Sequence, residues 1–247
     1  TMPRKRMYSG PLLPGTTSVR QVNRRNPRFR RGKRTSLVKK IKSVSLAQSE
    51  TKTGTFRVDG KNLYHNVTSY VPNLLATEQG VTANPGTSEN DNRVGNEVIA
   101  RGIKIRSQWI SDPKRPNMNI KLIIFKHEAN ETPTDANFWC GPAGAGGNQN
   151  RMIDFPDTRN VTVVKTIMIQ NQFVQPYDSQ QLPVHNVYRD IWIPLKNKKI
   201  KYDANNSSVP KYTTYSMACV CYDANNTLQT DILNYWSFTS RFYFKDP

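Results

Sequence analysis

Val98-Ile99-Ala100-Arg101-Gly102-Ile103-Lys104-Ile105-Arg106-Ser107-Gln108-Trp109 is the stretch on which the fold turns. Ile99, Ile103, Ile105 and Trp109 share one parity, and Lys104, Arg106 and Gln108 take the other. That two-residue period is the mark of a strand with one face in a core and one in water. The whole stretch is expected to be one half-buried strand.

Working outward, short runs of β-branched and aromatic residues recur between clusters of Asn, Asp, Gly and Pro, the punctuation of strands and turns. Phe56 to Val58 and Leu63 to Val71 are expected to form a first strand pair. Asn119 to His127 carries Ile120, Leu122 and Ile124 on one face and Ile123 and Phe125 on the other, which predicts burial on both sides. Further strands fit residues 160–170, 186–195, 212–222 and 233–245. Pro133 to Trp139 suits one helical turn capped by Thr134, and residues 141–150 are expected to be a glycine-rich loop. Tyr202-Asp203-Ala204-Asn205-Asn206 recurs as Tyr222-Asp223-Ala224-Asn225-Asn226. Asp and Asn bond their own main chain and tolerate left-handed backbone, so both copies read as strand-ending turns.

About eight strands, with no helix-length amphipathic pattern between them, exclude a parallel α/β sheet. The expected fold is all-β, an antiparallel eight-stranded jelly-roll sandwich over residues 50–247. Ahead of it, residues 1–49 are expected to be a basic arm that is disordered when free, because like charges repel and apolar residues are sparse.

The charge supports that division. The 247 residues carry 36 Lys+Arg against 18 Asp+Glu, a net +18. Fourteen of the cations fall in residues 1–49, which hold no Asp or Glu, the first acid of the chain being Glu50. The remaining 198 residues hold 22 bases and 18 acids, an ordinary balance. A field of this size is most readily tolerated when a polyanion is the usual partner. No run of about 18 apolar residues marks a membrane span, and no apolar stretch follows the basic start as in a secretory leader. The expectation is a chain with no membrane partner.

The arm supplies the candidate nucleic-acid-binding residues: Arg4, Lys5, Arg6 and Arg20, then Arg24, Arg25, Arg28, Phe29, Arg30, Arg31, Lys33 and Arg34, then Lys39, Lys40 and Lys42. Such cations displace counterions from phosphates and bind without reading sequence. Nine of the fourteen are Arg, whose planar guanidinium also stacks on unpaired bases, and Phe29 can do the same. Arg24, Arg25, Arg28, Arg30, Arg31, Lys33 and Arg34 also make a candidate nuclear localisation signal.

Candidates for catalysis are few. His65, His127 and His185 fall on separate strands or loops, without a motif around any of them. Cys140 lacks the flanks of thiol-protease nucleophiles. Gly141 to Gly147 lacks the Gly-Lys-Ser/Thr ending that would cradle a nucleotide. Cys219 and Cys221 face one side of a strand but make only two ligands, which suits buried thiols rather than zinc. The chain is expected to be no enzyme and to use no cofactor or metal.

Arg93-Val94-Gly95-Asn96-Glu97-Val98 and the following Gly102-Ile103-Lys104-Ile105-Arg106 with Trp109 resemble the pattern that opens a core strand in capsid proteins of small circular single-stranded DNA viruses. Tyr215 to Cys219 and Arg241-Phe242-Tyr243-Phe244-Lys245-Asp246 resemble the last two strands of geminivirus-type coat proteins. The arginine-rich arm is similar to the organisation of both geminivirus and circovirus coats. No Cys precedes Cys140, so the zinc-finger-like arrangement of many geminivirus coats does not carry over. The resemblance implies a jelly-roll subunit that self-assembles into an icosahedral shell of about 60 copies around single-stranded DNA. Their arms would bring about 840 cations inside, enough to offset on the order of a thousand phosphates. It further implies a virion protein that passes through the host nucleus by way of import receptors. An RNA-packaging coat protein and a non-assembling nuclear nucleic-acid-binding protein are the alternatives.

Overall fold

The structure is a computed structural model that describes residues 37–80, 92–112, 118–140, 150–171, 186–203, 208–223 and 228–246. The chain divides into two compact units, Thr1–Val44 and Ser45–Pro247. Its elements are α1 (Leu37–Gln48), β1 (Lys52–Tyr64), β2 (Thr68–Val71), β3 (Glu97–Ser111), β4 (Met118–Glu128), α2 (Asp135–Phe138), β5 (Thr162–Asn171), β6 (Asn186–Lys201), β7 (Thr213–Tyr222) and β8 (Ile232–Lys245).

The strands form two four-stranded sheets, ordered β1-β8-β3-β6 and β2-β7-β4-β5. Every ladder is antiparallel. From β1 to β4 and again from β5 to β8, consecutive strands lie in opposite sheets. This is the double-sheet jelly roll, two Greek keys folded face to face, as the strand count predicted.

Between the sheets lies the main core. Trp109 of β3 and Trp236 of β8 are fully buried, their rings parallel with centroids 6.4 Å apart. Cys219 and Cys221 enter this core from one face of β7 as free thiols. β4 is buried on both faces, as its sequence implied. Ile120, Leu122 and Ile124 join the main core, whereas Ile123 and Phe125 join a second cluster with Phe138, Trp139 and Val220. At roughly 1.5–3 kcal/mol for each fully buried aliphatic or aromatic side chain, this strand contributes heavily to both clusters. α2 caps the second one. Its start is held by the Thr134 N–H donating to Asn137 Oδ1 at 2.7 Å.

Lys121, on the same face of β4 as Ile123, is a buried cation. Its Nζ donates to the carbonyls of Arg151, Met152 and Asp154 at 3.2, 3.0 and 2.8 Å. All three ammonium hydrogens are thereby used, which is how a buried Lys is made tolerable.

Three expectations are corrected. First, β1 and β2 do not pair: β1 pairs with β8 and β2 with β7. Residues 65–67 cross between the sheets, helped by left-handed backbone at Asn66 (φ 56°). Second, Ile99 does not share the buried face of Ile103. The ladders shift register between Ala100 and Gly102 on both sides of β3, so Arg101 is a bulge and Val98 and Ala100 point inward instead. One extra residue reverses the parity of everything before it.

The third correction is α1, which occupies the end of the segment expected to lack structure. Leu37, Ile41 and Val44 recur at i, i+4 and i+7, a helical stripe, and no proline falls between Pro27 and Pro72. The three are 73%, 58% and 55% exposed. A twelve-residue helix is marginal by itself in water. The rest of the arm, residues 1–36, lies outside the described residues, as do residues 141–149 of the expected glycine-rich loop and residues 204–206 and 224–226 of the two repeats. Of the two repeats, Tyr202 and Asp203 come after the end of β6 and Tyr222 closes β7.

Candidate nucleic-acid interface

Of the sequence-predicted binding residues, Arg4, Lys5, Arg6, Arg20, Arg24, Arg25, Arg28, Phe29, Arg30, Arg31, Lys33 and Arg34 lie outside the described residues, and the localisation signal lies there with them. Lys39, Lys40 and Lys42 fall on α1, where Lys40 is exposed.

A second basic surface, which strand-by-strand reading did not reveal, is the outward face of the β1-β8-β3-β6 sheet. Residues directly opposite in antiparallel strands share a face, so the register defines rows across all four strands. One row runs Thr53, Tyr243, Gly102, Pro194, and the next Thr55, Arg241, Lys104, Trp192. The third is Arg57, Thr239, Arg106, Asp190. A fourth, shorter row is Ser237, Gln108, Tyr188. None of these positions is Val, Leu, Ile or Met.

Four cations therefore share the face with Asp190. Lys104 Nζ and Arg106 Nε approach its carboxylate at 3.2 and 3.5 Å. Arg57 pairs with Asp59 at 2.9 Å, both well exposed. Exposed pairs of this kind are worth little, so they leave the cations available to another anion. A hollow of about 650 Å³ opens between Arg57, Arg106, Tyr188 and Arg189.

At the other end of the face the Trp192 ring lies directly over Gly102. A Cβ there would come within 2.3 and 2.5 Å of the ring carbons Cζ2 and Cη2. Tyr243 meets Trp192 edge-on, centroids 5.7 Å apart at 61°. A hollow of about 280 Å³ borders the ring, lined by Thr51, Arg101, Pro194, Lys196 and Asn197. Arg101 reaches it because the bulge frees that residue from the ladder, and its guanidinium donates to Thr51 Oγ1 at 3.3 Å. Lys196 and Asn197 are both left-handed (φ 53° and 58°), an excursion of β6 opposite the same bulge. Trp192 is 48% exposed, whereas Trp109, Trp139 and Trp236 are buried.

A separate basic hollow of about 240 Å³ is lined by Lys126, Lys198, Lys199 and Lys201. Burial, and then the charge of Lys126, push the Lys198 ammonium below its ordinary range. Glu97 faces Lys199 and Lys201 from β3, and their hydrogen bonds hold its carboxyl below the usual carboxylate value.

His127 is buried, with Nε2 2.7 Å from Ser216 Oγ. His65 Nδ1 accepts the Asp223 N–H at 3.3 Å. Cys140 is exposed, its thiol 3.5 Å from the Pro156 carbonyl. His185 lies outside the described residues. Burial pushes the Cys221 thiol well above its usual value, which keeps it protonated beside Cys219. Among the described residues, no three His, Cys, Asp or Glu side chains gather to hold a metal ion.

The outward parity that builds the basic face is visible in the sequence as Lys104-x-Arg106-x-Gln108 and Tyr188-x-Asp190-x-Trp192. What joins these strands into one surface is the sheet order, which no single strand encodes.

No protein-family model matches the chain, and no curated protein matches it. Among solved structures, a chain of Desmodium yellow mottle tymovirus is similar at 10% identity, over 81% of this chain and 89% of that one, with a TM-score of 0.30.

Proposed function

We propose that this chain is a viral coat protein whose jelly-roll bodies assemble into an icosahedral shell, and whose arms package single-stranded DNA without reading its sequence. One observation carries the reading: fourteen cations with no acid among them precede an eight-stranded jelly roll whose own charge is nearly balanced. The arm is the part suited to a polyanion, and the body is the part suited to packing against copies of itself. In this reading the protein performs no catalytic step. The Arg24 to Arg34 cluster also engages import receptors, so that the protein passes through the host nucleus before it resides in the virion.

The test keeps the chain whole. Replacing Arg24, Arg25, Arg28, Arg30, Arg31, Lys33 and Arg34 with Gln removes seven cations and leaves the body untouched. The slope of log affinity against log salt for a single strand is expected to become shallower by about 5, at ~0.7 for each phosphate no longer neutralised. An unchanged slope and unchanged nucleic-acid retention would sink the assignment of the arm. Nuclease digestion of the particle contents separates the cargoes: DNase sensitivity agrees with the reading, and RNase sensitivity replaces it with an RNA-packaging coat.

A further inference from the structure

We propose that the Trp192 ring is a stacking platform for an unpaired base of single-stranded nucleic acid, with the flanking phosphates taken by Arg101, Lys104 and Lys196. This makes the outward face of the β1-β8-β3-β6 sheet a second contact of the body with the packaged strand, and it rests on the reading of the chain as one that packages single strands.

Three features of the ring fit that role. It is fixed before anything binds: Gly102 gives it a floor with no side chain, and Tyr243 stops it at the edge. A platform already held in place loses little rotamer entropy on binding. Its other face is open, at 48% exposure, while an ordinary strand tryptophan with that much apolar area would be driven under cover. Cations also surround it: Lys104 sits opposite in the adjoining strand, and Arg101 and Lys196 line the hollow beside it. Aromatic rings along a basic groove are the general solution for gripping single strands, because every base offers a flat face and every nucleotide a phosphate.

A second copy of this chain is the other occupant to weigh, since interfaces also favour Trp, Tyr and Arg. The centre of a protein interface is about 65% apolar and poor in Lys. The rows on this face contain no Val, Leu, Ile or Met and place Lys104 beside the ring. The composition favours a polyanion.

The test exploits the burial of the other three tryptophans. Titrating the full-length protein with an oligo-dT strand should quench the exposed part of its tryptophan emission, because a base stacked on Trp192 drains its excited state. In Trp192→Phe the quench should vanish while most affinity remains, since a phenyl ring still stacks. In Trp192→Ala the affinity should fall by a factor of roughly 5 to 150, the range expected when one base loses its stacking partner. The salt slope should stay the same, because no cation is removed. Tight binding with no quench, and unchanged affinity in Trp192→Ala, would overturn the platform while leaving the arm's role intact. No binding at all by the native protein would overturn both. Loss of self-association in Trp192→Ala, with emission unmoved by oligo-dT and affinity unchanged, would overturn the platform and make this face a contact between copies.

Discussion

Gly102→Ala perturbs the smallest side chain on the body in the most consequential place. The added Cβ would stand 2.3 and 2.5 Å from two ring carbons of Trp192 and 2.8 Å from the Ile193 carbonyl oxygen. The ring must lift off its seat on Gly102 and away from the edge of Tyr243. The carbonyl belongs to the β3–β6 ladder, where Ile193 faces Ile103, and cannot move without bending β6. Overpacking of this kind costs about 1–3 kcal/mol, which for a body of this size lowers the melting temperature by roughly 2–4 °C per kcal/mol. Calorimetry measures the stability change, and acrylamide quenching of tryptophan emission measures whether the ring has lifted. Combining Gly102→Ala with Trp192→Ala should recover the ring's share of the loss and leave the carbonyl's share, giving a coupling of about 1 kcal/mol between the two sites. Unchanged melting and unchanged quenching in Gly102→Ala would refute the packing of Trp192 on this glycine, and with it the pre-set platform.

Other outcomes follow from the buried polar groups. Lys121→Met should destabilise the body by about 3 kcal/mol in urea melts, because three carbonyls lose the ammonium that they share and are left buried. Thr68→Val removes the acceptor of the buried Trp139 indole N–H, now 2.9 Å away, and should cost about 1–2 kcal/mol by the same measurement. Burial pushes the His127 imidazole below its ordinary 6.5. The unfolded chain therefore takes up a proton before the folded one does. Stability is full above pH ~6.5 and should fall as pH drops through that value toward the folded one, at up to about 1.4 kcal/mol per pH unit. A His127→Gln variant should lose that part of the pH dependence in urea midpoints compared across the same range.

Strand existence was largely legible. Runs of β-branched and aromatic residues bounded by turn residues placed β3, β4, β5, β7 and β8 within about two residues of their ends, because both the period and the punctuation are local, whereas β6, expected to end at Leu195, runs on to Lys201. Parity was legible only as far as the ladder is regular. The bulge at Arg101 turned Ile99 outward; its one mark in the alternation is Arg101 itself, a cation on the parity of Ile99 and Ile103, which is easily passed over because Val98 and Ala100 are apolar too. The β1–β2 pair failed for a related reason: Phe56 to Val71 looks like a hairpin when only neighbours in sequence are weighed, but its two arms serve different sheets. In α1, the apolar stripe of Leu37, Ile41 and Val44 is plain once sought, yet the charges around it drew the segment into the arm. The proposed nucleic-acid contacts differ in how far the sequence shows them. A run of cations declares itself from composition, whereas the Trp192 face exists only after four strands distant in sequence are laid side by side.

Whether these bodies build a container around single-stranded DNA is decided by imaging purified particles together with nuclease treatment of their contents. Closed shells of about 60 symmetric copies, holding nucleic acid that DNase destroys and RNase leaves intact, are the predicted result. Monomers or dimers under conditions where nucleic acid is bound would mean that the bodies build no shell.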